Sequence, residues 1–256
     1  MMLVGIFLYA PIVIMIIFSF NSSKSRTVWA GFTLDWYAQL FRNELILNSL
    51  YTTILVSLMA AVIATVIGTA AAIGFSAMRR RSRQFFLTIN AIPAVNPDII
   101  TGVSLMLLFV FLRSVINIEL GFITLLLAHI TFNVPYVILA IMPKIRSLNK
   151  HLFEAALDLG ATPMGAFWKV ILPQIRPGII SGALIAFTLS IDDFVISYFT
   201  AGSSVQTLPM TIYAMTRKRV SPEINAISTL LFLTVLVLLV IINIAQKRDI
   251  KRRVKN

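Results

Sequence analysis

The stretch EAALDLGATPMGAFWKVILPQIRPG, residues 154–178, interrupts a chain that is otherwise mostly apolar. Its apolar residues recur at spacings of three and four up to Gly160, which is typical of an amphipathic helix that ends in a left-handed cap. Thr162 and Pro163 then have the character of an N-cap and a first helical position. A second apolar face follows until Pro173, where we expect that helix to end. The stretch therefore predicts a helix, a turn and a helix.

The composition around this stretch is that of a membrane protein. Of the 256 residues, 58% are hydrophobic and 12% are charged, whereas a soluble domain has roughly 25% charged residues. Crossing a hydrocarbon core of about 30 Å takes about 20 helical residues, and several apolar runs are that long. We expect an all-α polytopic membrane protein with a single domain, residues 1–256, and a cytoplasmic loop at about 143–177.

Six transmembrane helices are predicted when charges are taken as boundaries and Pro or Gly interruptions are tolerated within a span. They are Met1–Phe20, Leu45–Met78, Phe85–Leu112, Leu120–Met142, Gly178–Phe199 and Ile224–Ala245. The second span has a small residue at every fourth position, a spacing that lets another helix backbone approach closely. We expect these residues to form a packing seam: Ala60, Ala64, Gly68, Ala72 and Ser76.

The basic residues orient the chain in the membrane. The connections after the second and fourth spans, together with the C-terminal tail, hold 15 Lys and Arg residues, against 7 in the other connections. Since cytoplasmic loops hold the excess of positive charge, both termini are expected in the cytoplasm. This clustering at span ends also argues against nucleic-acid binding as the reason for the net charge of +12. Residues 217–219, a basic group on the predicted outer side, do not follow the rule.

Several function classes lack their usual residues. The chain has no cysteine, so a disulfide framework or a zinc–thiolate site is excluded, and two histidines are few for a metal centre. Neither an H-E-x-x-H motif nor an evident pair of nucleophile and base indicates an enzyme. We interpret His129 as a satisfied packing residue. A phosphate-binding loop of the G-x-x-x-x-G-K-[ST] type is also missing, so ATP hydrolysis would have to come from another chain.

Three acidic residues lie inside predicted spans, where charge is costly and therefore indicates function. Asp98 follows Pro97 in the third span, and Asp192 and Asp193 lie in the fifth. Asp98 lies 14 residues after Gln84, and Asp192 lies 14 residues after Gly178, which predicts a common depth of roughly 21 Å. Carboxylates beside broken helices suit a cationic solute, and an organic polycation best.

Alternatives exist for each of these residues. The acids could instead cap helices or hydrogen-bond between helices, and one of the adjacent pair should face elsewhere, because neighbours on a helix point about 100° apart. Phe194 and Tyr198, and Trp36 and Tyr37 in the outer loop, could add cation–π contacts. Anchoring at the membrane interface is the alternative for these aromatic residues.

The 154–178 stretch also carries a family pattern: E-A-A, three residues, Gly, nine residues, then I-x-L-P. It resembles the signature of permease subunits of bacterial binding-protein-dependent ABC importers, with Val170 in the place of the usual Ile. The matching residues are Glu154, Ala155, Ala156, Gly160, Leu172 and Pro173. The resemblance implies the six-helix fold of type I ABC importer permeases and a coupling helix that inserts into a groove of a cytoplasmic ATPase.

The resemblance is most specific to the second permease of spermidine/putrescine importers, through segments such as GFTLDWY, NPDI, FTLSIDDFVIS and SPEINA. It implies a heterodimer with a homologous permease, two copies of an ABC ATPase, a periplasmic polyamine-binding protein and a location in the bacterial inner membrane. This chain would bind no cofactor, while ATP and Mg would be used by the ATPase. The residues that the resemblance assigns to the substrate path are Trp36, Asp98, Ser190, Asp192 and Asp193.

We therefore predict a non-enzymatic permease subunit that forms the path of a polyamine importer by alternating access. An ABC permease for another cationic organic solute is the first alternative, and a secondary cation transporter is the second. Co-purification with an ATPase would separate the two transport classes. For the 154–178 stretch alone, a helix lying on lipid is an alternative to a docking element.

Overall fold

The computed structural model describes residues 2–23, 28–149, 151–218 and 222–255. Within these ranges the regular structure is helical, apart from an isolated antiparallel bridge between Asn21 and Phe32. The described elements bear out the prediction of an all-α protein. Four of the basic residues in the orientation count, Lys24, Arg26, Lys150 and Arg219, lie outside the described residues.

The helices follow one another with short connections. In chain order they are α1 (Met2–Phe18), α2 (Asp35–Leu40), α3 (Glu44–Ala77), α4 (Arg80–Val95), α5 (Asp98–Ile116), α6 (Phe122–Arg146), α7 (His151–Asp158), α8 (Pro163–Ala166), α9 (Leu172–Ile191), α10 (Val195–Thr200), α11 (Leu208–Lys218) and α12 (Pro222–Lys255). A π-helical turn, Phe167–Ile171, joins α8 to α9.

Five helical segments of the described chain are long and apolar enough to cross a membrane. They are Glu44–Ala77, Asp98–Ile116, Phe122–Arg146, Pro163–Ile191 and Glu223–Ile241, and Leu3–Phe18 is a shorter apolar helix. These segments confirm a multi-pass membrane protein. The predicted number of six spans is approximate, because the first helix is shorter than the others.

The packing centre lies where α3, α6 and α9 meet. The buried residues shared by these helices are Ala61, Ala64, Ala72, Val137, Ile138, Ile141, Met142 and Ala186. On α3 the predicted seam is confirmed, since Ala60, Ala64 and Ala72 are fully buried. A Cβ atom at Gly68 would lie 2.7 Å from Val137 Cγ1, so the α3 backbone touches α6 directly.

We expect Gly68→Ala to destabilise the assembled transporter by about 1–3 kcal/mol, the usual cost of overpacking. The added methyl group has no space unless α3 moves away from α6. The measurement is the thermal midpoint of the purified transporter in detergent. The matched control is Gly74→Ala, where a Cβ atom meets nothing within 4 Å. An unchanged midpoint in Gly68→Ala would contradict direct contact between the two helices.

Two predicted spans are broken in the structure. The third, Phe85–Leu112, in which the prolines predicted an interruption, is divided, because α4 ends at Val95 and α5 begins at Asp98. Pro97 has no N–H and holds Asn96 in an extended conformation, with φ −71° and ψ 143°. The fifth, Gly178–Phe199, is interrupted after Ile191, and α10 resumes at Val195.

The predicted helix end at Pro173 is also wrong. Pro163–Ile191 is one helical segment, and Pro173 is the second residue of α9. In the π-helical turn the Leu172 N–H bonds to the Phe167 carbonyl, five residues back. This wider turn directly before Pro173 changes the hydrogen-bond register where a residue without an N–H enters the helix.

Candidate functional site

The segment 151–173, which we call the docking segment, begins with α7 and a closed helix end. Gly160 has φ +83°, and its N–H bonds to the Leu157 carbonyl at 2.9 Å. The Ala161 N–H bonds to the Ala156 carbonyl at 3.0 Å. These two bonds form a Schellman motif, which needs a residue that tolerates left-handed backbone. The predicted left-handed cap is confirmed.

The second helix of the docking segment starts as predicted. The Thr162 side chain caps α8, since its Oγ1 accepts the Gly165 N–H at 3.1 Å, and Pro163 is the first helical residue. Only two residues, Ala161 and Thr162, separate the Gly160 cap from α8. The turn between the helices is therefore short and fixed at both ends by hydrogen bonds.

The docking segment presents both charged and apolar side chains to its surroundings. Glu154, Ala155 and Asp158 are exposed on α7, whereas Ala156 is half-buried. At the start of α9, Leu172 is half-buried and Pro173 is exposed. Three large apolar side chains of the docking segment are mostly exposed, Leu159 at 89%, Met164 at 66% and Trp168 at 59%. Clustered exposed apolar residues are typical of an interaction surface.

Two helix breaks carry the acids of the predicted path. Asp98 is the first residue of α5, directly after the break at residues 96–97, and it is exposed. Asp192 is the C-cap of α9, at the break of residues 192–194, and it is also exposed. Non-helical backbone at membrane depth is tolerated where it is buried in protein or lines a cavity.

The two breaks come together through α5 and α10. A Cβ atom at Gly102 would lie 3.0 Å from Phe199 Cδ2 and 3.4 Å from Ile196 Cα, so the backbones of α5 and α10 are in close contact. Gly102 and Ile196 each follow one of the two acids, Asp98 and Asp192, by four residues. The contact therefore places both breaks in the same region of the molecule.

The Asp193 carboxylate accepts hydrogen bonds from groups within the protein. Its carboxylate accepts the Ser197 N–H at 2.8 Å, the Ser197 hydroxyl at 2.9 Å and the Ile196 N–H at 3.3 Å. It thus caps the N-terminus of α10. Asp192, its neighbour, has no such partner among the described residues and is exposed.

His129 of α6 extends this network. Its Nε2 lies 3.0 Å from Ser197 Oγ and 3.6 Å from Asp193 Oδ2. Because the Ser197 hydroxyl donates to Asp193, the bond from Nε2 to Ser197 requires a proton on Nε2. His129 is buried and its Nδ1 has no partner among the described residues. It is thus a packing residue satisfied at one nitrogen.

Ser190 is joined to α6 by a residue that the sequence analysis missed. Asn133 Nδ2 donates to Ser190 Oγ at 2.7 Å, and both side chains are buried. The bond ties α6 to α9 two residues before the break. Asn133 is a polar amide residue within an apolar helix, and this contrast is the sequence signal that would have identified it.

Trp36 occupies a different cluster. It is buried, and its indole N–H donates to the Asn21 carbonyl at 2.7 Å. Its buried apolar neighbours in this cluster are Leu40, Ile46, Leu208, Ala226 and Ile227. The structure gives Trp36 a packing role, and its place in the substrate path stays a prediction. Tyr37 is similarly engaged, since its hydroxyl lies 2.7 Å from Ser19 Oγ.

Comparison with known proteins gives a family match over most of the chain. Residues 64–255 match the family described as binding-protein-dependent transport system inner membrane component. This range includes the docking segment and both helix breaks. It leaves out α1, α2 and the first part of α3.

The names of two similar proteins each state the solute of a transport system. The putrescine transport system permease protein PotI of Escherichia coli K12 is 44% identical over 228 residues, covering 88% of this chain and 81% of the relative. The spermidine/putrescine transport system permease protein PotC of Haemophilus influenzae is 36% identical over 249 residues, covering 97% and 95%.

Solved structures share the fold. A chain of a bacterial ABC transporter involved in the import of the acidic polysaccharide alginate has a TM-score of 0.70 at 16% identity, covering 94% of this chain and 93% of its own. A chain of the methionine transporter MetNI in an inward-facing conformation has a TM-score of 0.56 at 18% identity, covering 86% and 96%. The observed architecture is thus that of type I ABC importer permeases.

Proposed function

Because the chain belongs to the family of inner membrane components of binding-protein-dependent transport systems, we propose that it is the permease subunit of an ATP-driven polyamine importer. The observation that carries this function is the pair of exposed carboxylates, Asp98 and Asp192, at two helix breaks that meet through α5 and α10. The names of the relatives, putrescine and spermidine/putrescine permeases, support the same solute class.

The charge of the two breaks suits a solute with several ammonium groups. Asp98 and Asp192 are exposed, and each can accept hydrogen bonds from an ammonium group. Asp193 is held by Ser197 and Ile196, so its part in the path is to orient the break and thereby Asp192. Ser190 acts in the same way through its bond to Asn133. Trp36 is assigned to the outer end of the path on family resemblance alone.

Energy for transport would reach the path through the docking segment. We propose that its exposed residues, above all Glu154, Leu159 and Met164, insert into a groove of a cytoplasmic ATPase that uses ATP and Mg. The mixture of charge and exposed apolar surface on this segment supports a protein partner. Closure of two ATPase copies would move the spans between inward-open and outward-open states.

The remaining partners follow from the same family. We propose a heterodimer with a homologous permease, and a periplasmic polyamine-binding protein that delivers the solute. One of the structural neighbours is an alginate transporter in complex with a ligand-bound periplasmic protein, which is the arrangement expected here. The chain would lie in the inner membrane with both termini in the cytoplasm, as the excess of Lys and Arg predicts.

The test is uptake of labelled putrescine and spermidine in cells that lack this gene. Wild-type protein is expected to restore uptake, and unlabelled polyamine should compete while an uncharged diol of equal length should not. If wild-type protein at normal membrane abundance restores no polyamine uptake, the solute assignment is wrong. If uptake persists without the partner ATPase, the importer class is wrong as well.

A further inference from the structure

Three aromatic side chains gather next to the break that carries Asp192. Phe194 lies 4.5 Å from Tyr213 of α11 and 5.5 Å from Tyr198 of α10, measured between ring centroids, with ring planes tilted by 40° and 39°. We call these three residues the aromatic cluster. Sequence reasoning identified Phe194 and Tyr198, but Tyr213 comes from a separate helix.

The aromatic cluster is accessible beside a carboxylate. Tyr198 is 55% exposed and Tyr213 is 39% exposed. Phe194 follows Asp192 by two residues, and Asp192 is itself exposed. Aromatic rings that only anchored a membrane interface would not need to pack against one another across two helices and a helix break.

A cation already lies on this aromatic surface. The Arg217 guanidinium carbon is 5.2 Å from the centroid of the Tyr213 ring, within cation–π distance. Arg217 is one turn after Tyr213 on α11, and it belongs to the basic group that the orientation rule did not explain.

We propose that the aromatic cluster and Asp192 form a binding subsite for one ammonium group, with Arg217 as a resident cation that the solute displaces. This subsite deepens the proposed function and rests on it for the identity of the solute. The ring faces attract a cation, and the carboxylate supplies the opposite charge. Displacement of Arg217 opposes binding, which keeps the site weak enough for the solute to leave again.

The first test compares uptake kinetics in cells. Tyr213→Leu removes the ring and is expected to raise KM for putrescine about two- to five-fold, with little change in maximal rate. Tyr213→Phe keeps the ring face and should raise KM much less than Tyr213→Leu. Arg217→Gln removes the resident cation and should lower KM. Equal KM values for the Leu and Phe variants would overturn the subsite, even where wild-type protein transports putrescine normally.

A second test does not depend on the transported solute. Since the chain has no cysteine, Tyr198→Cys gives a single reactive thiol in this subunit at an exposed position of the cluster. The measurement is the ratio of its reaction rates with a cationic and a neutral methanethiosulfonate reagent in the assembled transporter. This ratio does not depend on protein abundance.

The expected ratios identify the subsite by its chemistry. Adding Tyr213→Leu to Tyr198→Cys should lower the ratio about two- to five-fold, whereas adding Tyr213→Phe should leave it unchanged. Adding Arg217→Gln should raise it. If Leu and Phe give the same ratio, the subsite is wrong. If the ratios follow this order but wild-type protein takes up no polyamine, the ammonium subsite stands and the polyamine function fails.

Discussion

Asp192→Asn is expected to reduce uptake of labelled putrescine and spermidine to less than about one-tenth of the wild-type rate, and Asp98→Asn to do the same. Hydrogen bonds to charged groups contribute about 1.5–3 kcal/mol, and about 1.4 kcal/mol corresponds to a factor of ten. Both residues are exposed at the helix breaks, so we expect the substitutions to weaken binding of the solute and to leave the fold intact. Uptake is measured in cells that lack the wild-type gene, at equal membrane abundance.

Asp193→Asn is the internal contrast in this experiment. Asn caps helices about as well as Asp, and its oxygen can still accept the Ser197 N–H, so we expect most uptake to remain. Glu119→Gln is the surface control, because Glu119 makes an exposed ion pair with Arg113 at 3.5 Å. If Asp193→Asn fails as completely as Asp192→Asn, then Asp193 contacts the solute, and our assignment of a positioning role is wrong.

Gly160→Val is expected to uncouple transport from ATP hydrolysis. A β-branched residue cannot readily adopt φ +83°, and left-handed backbone costs a non-glycine residue about 1–2 kcal/mol, a factor of about 5–30 in the population of the capped turn. The orientation of α7 relative to α8 would be lost. In reconstituted transporter, loaded binding protein should no longer stimulate ATP hydrolysis, and uptake should fall by a similar factor.

Gly160→Asn is the matched variant, since Asn tolerates the left-handed conformation. A Cβ atom at this position meets nothing within 4 Å, so any effect of Val comes from the backbone and not from a clash. We expect the Asn variant to keep stimulated ATP hydrolysis. Full coupling in the Val variant would show that the Schellman turn has no part in energy transmission.

Local sequence signals predicted the docking segment well. Gly160, Thr162 and Pro163 each act on backbone within a few residues, so their cap and turn could be identified without tertiary information. The prediction failed at Pro173. A proline can follow the end of one helix or stand in the first turn of the next, and the two cases differ only in the hydrogen-bond register of the preceding turn. That register is set by the π-helical turn, which leaves no clear sequence pattern.

The candidate path was predicted only in part. Asp98 and Asp192 were identifiable because a charge in an apolar run is costly wherever the helices pack. The contact between α5 and α10 through Gly102 and Ile196 is tertiary, and no local pattern encodes it. The same holds for Tyr213, which lies on α11 and joins Phe194 only in the folded chain.

The unbroken helix from Pro163 to Ile191 has a mechanical consequence. It spans 29 residues, or about 43 Å at about 1.5 Å per residue, and it has a docking surface at one end and Asp192 directly after the other. A rigid rod of this length that pivots at one end moves its far end by about 4 Å for a tilt of about 5°. A small rotation at the docking segment would therefore reach the carboxylate as a displacement larger than a hydrogen bond is long, provided that the π-helical turn and Pro177 keep the segment straight.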